Sequence, residues 1–443
     1  MKKILYACLL MVFACSCGRP SSFVRSGEWP DIFPDYVGVT VPENCPELRF
    51  RMADGRKCSV HRERRGDTVF VTVRAWDKGR TGVEFREFPI YISHDPIDPY
   101  VAYRLIEPGY ESWNHISLSI RELSSFKESV MVDNKANGQG CLNCHSFADG
   151  NPEKMMFHAR GKGGGTVFVD GDKVRKLNLA EIGPKKQGVY PIWNPDGRYI
   201  AFSSNLINQG FTIDHPQPIE VYDLRSDIIL FDTATDSVCA PPVLCSEEML
   251  ETFPGWSPDG KTLYYCAAKT PDKLPKDRES LHYALMAIGF EDGQIVGEPR
   301  RVFGSDTLSV SFPRAFGDYI LFTASSFATF PIWHKEADLW LLDTRTGEAA
   351  PATALNSPDT ESYHSWSSNG RWVVFSSRRI DGRYTRLFIA HFDPESGVFS
   401  KPYLLPQKNP DLNTLRLYSY NIPEFVRGKV ENRNRQVSKL FDL

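Results

Sequence analysis

The sequence predicts an all-β protein, a β-propeller of six blades preceded by a small β-sandwich-like domain. Three observations predict this fold class. A hairpin pattern recurs through the C-terminal two thirds of the chain, β-branched and aromatic residues follow each turn, and the repeated units show no helical periodicity. The chain of 443 residues is long enough for one large repeat architecture and a smaller domain.

The repeated pattern is a tight turn followed by a strand. Its clearest copies are 191–197, 254–260 and 365–370, and a degenerate copy covers 312–317. Their turn glycines, at positions 197, 260, 317 and 370, are spaced 63, 57 and 53 residues apart. Asp-Gly and Asn-Gly supply the positive φ of a hairpin turn. Because a second apolar strand follows most copies, each unit is predicted to form one propeller blade.

These Trp-Ser-Pro-Asp-Gly hairpins resemble the WD-like repeats of TolB-type propellers, over residues 141–443. Aligning Asp149-Gly150 on Asp196-Gly197 adds a first unit at the start of this region. A last partial unit, centred on Pro423-Glu424-Phe425, is expected to close the ring. Five full units and a closing strand predict six blades, with five or seven as the alternatives.

The region before the repeats has a different pattern. Val69, Val71 and Val73 alternate with neighbours on the other strand face, and Ile116 to Ile120 alternates in the same way. This pattern predicts a β-sandwich-like domain over residues 36–124. Residues 125–140 end in Asn-Gly-Gln-Gly and are predicted to be a linker.

The N-terminus predicts export. Lys2 and Lys3 precede the apolar run 4–13, which is too short to span a bilayer and is typical of a secretory signal. Residues 1–17 resemble a bacterial lipoprotein signal, which implies lipidation of Cys15 or Cys17; an ordinary cleaved signal is the alternative. The expected location is the bacterial cell envelope, with a lipid anchor at the periplasmic or outer-membrane face.

The most specific motif is Cys141-Leu142-Asn143-Cys144-His145. Its Cys-x-x-Cys-His spacing is that of covalent haem attachment. In c-type cytochromes, which this motif resembles, the two thiols bind the porphyrin and the histidine is an axial iron ligand. Haem c is therefore the predicted cofactor, bound by Cys141, Cys144 and His145. The alternatives are a disulfide, a redox pair or half of a zinc site, but a second ligand pair is absent nearby.

A second iron ligand is predicted on the strand after the motif. Met155, Met156 and His158 replace apolar and small residues of the next repeat. Met155 and His158 are the preferred candidates beside His145, and His364 ranks after them. For the methionines, core packing is an equally good explanation.

Five other cysteines follow the signal. Two pairs, Cys45 with Cys58 and Cys239 with Cys245, are close enough in sequence for disulfides in an oxidising compartment. All of them, and Cys266, fit equally well as small core residues. The sequence leaves both alternatives open.

The expected function is single-electron transfer by an exported, lipid-anchored haem protein with a redox protein partner. The alternative is a propeller that binds protein or glycan partners, with structural or absent haem. The sequence contains neither the Gly-x-Ser-x-Gly motif nor His-Glu-x-x-His, so electron transfer or binding is favoured over enzymatic activity. A net charge of −3 gives no indication of a nucleic-acid partner.

Overall fold

The computed structural model describes residues 20–77, 81–107, 114–185, 187–211, 219–274 and 276–442. The predicted signal segment 1–17, with the anchor candidates Cys15 and Cys17, lies outside the described residues. The fold is all-β, as predicted. It consists of an N-terminal sheet and a ring of six sheets, five with four strands and one with five.

The N-terminal sheet packs on the side of the ring. Its strands and a small ribbon are β1 (Ser22–Arg25), β2 (Ile32–Phe33), β3 (Thr40–Pro42), β4 (Arg51–Met52), β5 (Lys57–Arg65), β6 (Thr68–Trp76), β7 (Thr81–Glu84) and β8 (Phe88–Ser93). The main sheet has the order β1-β7-β6-β8-β3, with β5 on β6, and β2 pairs with β4. One apolar cluster joins this sheet to the fifth blade. Across it, Trp372 Nε1 donates to the carbonyl oxygen of Asp95 at 3.2 Å.

The next three strands belong to the ring, and this finding moves the predicted domain boundary. They are β9 (Tyr100–Ile106), β10 (Ile116–Glu122) and β11 (Glu128–Asp133), and β9 pairs with Ser419–Val426 near the other end of the chain. The predicted 36–124 domain is thus divided, and most of the predicted linker 125–140 is a strand and a 3₁₀ turn, Asn134–Asn137. Alternating patterns are the same in a sandwich and in a blade, so the sequence could not separate the two.

Blades one to five follow in chain order. Blade one contains β12 (Leu142–Phe147), β13 (Lys154–Ala159), β14 (Gly165–Asp170) and β15 (Lys173–Leu177). Blade two contains β16 (Val189–Trp193), β17 (Tyr199–Phe211), β18 (Ile219–Asp232) and β19 (Ser237–Cys239). Blade three contains β20 (Met249–Trp256), β21 (Thr262–Lys269), β22 (Ala284–Glu291) and β23 (Gln294–Phe303). Blade four contains β24 (Ser309–Phe316), β25 (Tyr319–Ser325), β26 (Asp338–Asp343) and β27 (Glu348–Pro351).

Blade five and the closing strand complete the ring. Blade five contains β28 (Glu361–Trp366), β29 (Trp372–Ser377), β30 (Arg386–Asp393), β31 (Val398–Phe399) and β32 (Tyr403–Leu404). Blade six has β33 (Ser419–Val426) as its inner strand and β9 to β11 outside it. Inner strands of neighbouring blades are in contact around the ring, including β12 with β33. The prediction of six blades is confirmed.

Helices are short. The α-helices among the described residues are α1 (Leu179–Ile182), α2 (Leu412–Leu415) and α3 (Asn434–Leu440). Further 3₁₀ turns are Ala148–Gly150, Pro242–Leu244, Arg278–Ser280 and Pro331–Trp333. In the described part of the chain, none of the helices has the length and apolar character needed to cross a bilayer.

In blades two, three and five, the tryptophan of the repeat connects the blade to the one before it. Trp193 Nε1 of blade two donates to the carbonyl oxygen of Ser146 in blade one at 3.3 Å. Trp256 Nε1 donates to Ile192 at 3.2 Å, and Trp366 Nε1 donates to Arg314 at 3.0 Å, again across a seam between blades. A buried indole N–H needs such an acceptor. The tryptophan of the repeat thus serves to join neighbouring blades.

The Ser-Pro-Asp-Gly part of the repeat closes the turn. In blade three, the Ser257 hydroxyl donates to Asp259 at 2.6 Å and accepts the backbone N–H of Thr262 at 2.9 Å. Gly260 has a φ of +70°, and a Cβ there would lie 2.7 Å from Oδ1 of Asn194. Both the backbone conformation and the close neighbour require glycine at this position.

The hairpin of β17 and β18 is longer than its counterparts and reaches blade four. There Glu220 Oε2 lies 3.4 Å from Nε2 of the buried His334, whose Nδ1 is 3.1 Å from Glu336 Oε1. Burial lowers the pKa of His334, but the two carboxylates outweigh burial and raise this pKa from 6.5 to about 9. A positively charged His334 thus links the hairpin to blade four.

This ion pair should make stability depend on pH. Because the pKa of His334 is higher in the folded state, its stabilising contribution is complete below pH 6.5 and is lost as the pH rises through about 9. We expect thermal melts of the wild type and of His334→Gln to differ most near pH 6.5 and to converge towards pH 9. A gap in melting temperature that stays constant over this range would contradict the assignment.

Candidate functional site

Each inner strand of the ring carries one β-bulge, and at each bulge one residue has a positive φ. These axial residues have φ between 45° and 54°, and they are Cys144, Tyr190, Phe253, Phe312, Tyr363 and Ile422. The pairing register shifts at this position in all six blades. A left-handed backbone costs a non-glycine residue about 1–2 kcal/mol. The same unfavourable conformation occurs in all six blades, so the bulge is a regular part of the fold.

The aromatic axial residues form a plug in the centre of the ring. Ring centroids are 4.5 Å apart for Tyr190 and Phe253, 4.1 Å for Phe253 and Phe312, and 5.1 Å for Phe312 and Tyr363. Tyr190 of blade two and Phe312 of blade four are also only 5.8 Å apart, although they are not neighbours in the ring. These side chains therefore converge on the ring axis. Cys144 occupies the same position in blade one.

A cavity of about 390 Å³ lies at the end of the ring formed by the repeat turns. We call it the axial cavity. Its walls are the inner strands after their bulges, and its chemically active lining residues are Cys144, His145, Arg314, His364 and Glu424. Its volume is within the range of small-molecule and cofactor sites in proteins.

His145 is the least satisfied polar group of the site. Its side chain is only 2% exposed, and neither ring nitrogen has a hydrogen-bond partner among the described residues. Burial, with a smaller contribution from the Arg104 charge, lowers the pKa of His145 to about 3. The imidazole is therefore neutral at physiological pH and has a free lone pair, which is the form that binds metals.

His364 of blade five occupies the position equivalent to His145. Each follows the axial residue of its strand, and the other four blades have proline there. His364 Nε2 lies 2.9 Å from the carbonyl oxygen of Leu321, so this nitrogen carries the proton. Burial lowers the pKa of His364 to about 3, although backbone carbonyls of Leu321 and Phe312 oppose the shift.

This register corrects the alignment made on the turn glycines, which placed Cys144 opposite Pro191 and paired His364 with Cys144. In the structure the counterpart of Cys144 is Tyr190 in blade two and Tyr363 in blade five. The turn of blade one is a 3₁₀ turn with a positive φ at Asp149, so its glycine lies one residue closer to the inner strand.

Cys141 lies apart from the other two motif residues. It is buried in the apolar cluster between blades one and six, together with Leu118, Met131 and Val426. Cys144 lines the axial cavity, and burial raises the pKa of its thiol. All seven cysteines of the described residues are free thiols, including the pairs 45/58 and 239/245.

The predicted distal ligands are not brought to the axial cavity. Met155 packs in the cluster between blades one and six, and Met156 in the cluster between blades one and two. His158 lines a second cavity of about 530 Å³, which is also bordered by Arg160 and Tyr190. Burial, aided by Arg160, lowers the pKa of His158 to about 4. Strand pairing brings the backbones of these residues close to the motif. Successive side chains of a strand point to opposite faces of the sheet, so Met155 and Met156 pack against the two neighbouring blades instead.

Two charged residues of the site were missed by the sequence reasoning. Arg314 and Glu424 each lie two residues after the axial residue of their strand, in blades four and six. Burial raises the pKa of Glu424 to about 8, against a hydrogen bond from the Phe147 N–H and the Arg314 charge. The sequence contained one signal for these two residues. At this position of the repeat, the other copies have small or apolar residues, and blades four and six have a charged residue instead.

The fold and the cavity define a six-bladed propeller with a polar, histidine-containing site on its axis. No family model and no curated protein matches the chain. Among solved structures, the chain is similar to TolB from Acinetobacter baumannii, with 14% identity, coverage of 83% of this chain and 81% of that one, and a TM-score of 0.46.

Two further solved structures have the same kind of similarity. An oligogalacturonate lyase in complex with manganese has 12% identity, coverage of 69% of this chain and 73% of that one, and a TM-score of 0.39. The β-propeller domain of the Trilobed protease from Pyrococcus furiosus has 12% identity, coverage of 80% and 99%, and a TM-score of 0.36. At these identities the likeness concerns the fold.

Proposed function

We propose that this protein is an exported c-type haem protein that passes single electrons, with haem bound at the axial cavity. One observation carries the proposal: the imidazole of His145, directly after Cys144 in the cavity wall, is buried with both nitrogens unpartnered in the described structure. Leaving such a group unsatisfied costs about 1–3 kcal/mol. A bond to haem iron would satisfy the nitrogen that has the lone pair.

The residues present fit haem in part. Cys144 and His145 line the axial cavity, whereas Cys141 is packed against blade six. No group of three or more His, Cys, Asp or Glu side chains in the described residues is arranged for a metal ion. Haem does not need one, because the porphyrin supplies four nitrogen ligands of its own. Cys144 would hold haem through a thioether bond, and His145 would bind its iron.

Haem iron, when bound, supplies one-electron chemistry. The protein residues would provide its surroundings. Burial keeps His145 neutral, so a proton does not compete with iron for its lone pair. The aromatic plug of Tyr190, Phe253, Phe312 and Tyr363 fills the axis behind the cavity, which restricts water to one side. Electron exchange with a partner would take place through the mouth of the cavity, at the turn end of the ring.

The proposed setting is the bacterial cell envelope. The basic residues and apolar run at positions 2–13 support export, and Cys15 or Cys17 would carry the lipid that holds the protein at a membrane. A redox protein is the proposed partner, since single electrons have to come from one protein and go to another.

Removing the motif thiols should remove the covalent haem. We expect wild-type protein, produced with the haem-attachment machinery, to retain a haem stain after denaturing electrophoresis, and Cys141→Ala/Cys144→Ala to show none. Because only Cys144 faces the cavity, Cys144→Ala should lose more stain than Cys141→Ala.

The control for this experiment is Cys266→Ala, which removes a buried free thiol of blade three outside the motif. It should stain like the wild type. A wild-type protein without covalent haem would reject the haem proposal and leave the binding of protein or glycan partners as the better explanation of the cavity.

A further inference from the structure

Arg314 is a cation in the wall of the axial cavity that forms no salt bridge with the described residues, although the Glu424 carboxyl acts on its charge from a distance. Its Nη1 donates to the carbonyl oxygens of Pro313 at 2.9 Å and Pro254 at 3.2 Å. Its Nη2 and Nε make no hydrogen bond with the described residues, and no carboxylate of those residues forms an ion pair with it. The guanidinium is therefore held in place by two carbonyls and keeps donors for a further partner.

The other charged groups of the cavity wall are already engaged. Asp98 accepts from the backbone N–H of Ser368 at 2.7 Å and from its hydroxyl at 2.6 Å. Asp149 is 3.0 Å from the guanidinium of Arg427. Glu424 accepts the Phe147 N–H at 2.9 Å, and burial raises its pKa to about 8. Arg314 is the only lysine or arginine among the described residues that line the cavity.

Apolar groups surround that charge. Phe312, Phe316 and Trp366 line the same part of the wall, and the rings of Phe316 and Trp366 are 6.0 Å apart. Burial lowers the pKa of Arg314 only to about 10, so the group stays charged at neutral pH. Arg314 is half-buried, and a partly desolvated charge with no ion-pair partner among the described residues is costly. Its planar guanidinium matches carboxylate geometry in particular.

We infer that the axial cavity binds a small molecule with a carboxylate on an apolar body, and that Arg314 recognises the carboxylate. The inference does not depend on the haem proposal. The carboxylate belongs either to a free small molecule or to a propionate of haem, and both have the same chemistry at Arg314. Competition between them distinguishes the two sources.

Benzoate is a suitable probe, with benzamide as its neutral isostere. We expect calorimetry on the haem-free Cys141→Ala/Cys144→Ala protein to detect benzoate binding and at least tenfold weaker binding of benzamide. Arg314→Gln should reduce benzoate affinity at least tenfold. Arg345→Gln, which removes an exposed arginine paired with Asp343, should leave it unchanged. Should the glutamine variant misfold, Arg314→Lys keeps the charge without the planar fork and should bind benzoate with intermediate affinity.

The protein as purified, with covalent haem, gives the second comparison. Benzoate binding to both forms identifies a free carboxylate as the ligand, and binding only to the haem-free form identifies a haem propionate. Equal binding of benzoate and benzamide, equal binding by Arg314→Gln and wild type, or no binding to either form would overturn the inference. Haem staining remains an independent measurement, so this outcome is distinct from failure of the haem proposal.

Discussion

A chain that ends at residue 417 is expected to lose cooperative unfolding, because it lacks β33. This strand is the inner strand of blade six and pairs with β9 along most of its length. It buries Tyr420, Phe425 and Val426 in the clusters on both sides of the blade. At about 1.5–3 kcal/mol for each buried side chain, these three contribute on the order of 5–9 kcal/mol. That is comparable with the whole stability of a typical domain, about 5–15 kcal/mol.

The measurement is thermal unfolding followed by circular dichroism. The matched control is a chain that ends at residue 432, which keeps β33 and removes α3. We expect the control to melt cooperatively at a somewhat lower temperature, since Val437 of α3 is buried beside blade six. If the 417-residue chain melts as cooperatively as the control, blade six does not close the ring in the way that the strand order implies.

Phe312→Ala should be the most destabilising single substitution in the axial plug. Phe312 contacts Phe253 and Tyr363 and also reaches Tyr190, so its removal leaves a void at the centre of the ring. A phenylalanine-to-alanine change that leaves such a cavity lowers the free energy of unfolding by about 3–5 kcal/mol. We expect urea unfolding to show a loss of this size with an unchanged slope. A loss below 1 kcal/mol would mean that the plug is not packed.

The positive φ of 53° at Phe312 gives a second, sharper comparison. In an ordinary strand, glycine is less stable than alanine by about 0.5–1 kcal/mol. In left-handed backbone the order reverses, because alanine pays about 1–2 kcal/mol that glycine does not. Phe312→Gly should therefore be at least as stable as Phe312→Ala. If Phe312→Ala is instead more stable than Phe312→Gly, the backbone at this position relaxes once the phenyl ring is removed.

The repeated turns made most of the propeller predictable. Each Ser-Pro-Asp-Gly turn closes its own hairpin through local hydrogen bonds, such as that of Ser257, so its sequence is a local signal. Blade six has no such signal. Its strands β9 and β33 come from opposite ends of the chain, and their pairing is decided by burial between distant segments.

The candidate site, like the fold, could be predicted only in part. The motif at Cys141, Cys144 and His145 depends on short spacing and could be recognised directly, but which residues share a cavity with it could not. That depends on the bulge in each inner strand, which shifts the register and separates Cys144 from Met155 and His158. Arg314 and Glu424 enter the site from other blades, and only the ring brings them near.

The tryptophan hydrogen bonds between blades are present at three of the six seams of the ring. They join blades one, two and three, and they join four to five, through Trp193, Trp256 and Trp366. At the remaining seams the equivalent positions are Phe147, Ala315 and Phe425, which have no indole N–H to donate. At two of these seams the contact comes from the wall of the axial cavity itself. Arg314 Nη1 of blade four donates to the carbonyl oxygen of Pro254 in blade three, and Glu424 of blade six accepts the Phe147 N–H of blade one. A ligand that moves either side chain would therefore also change the contact between two blades.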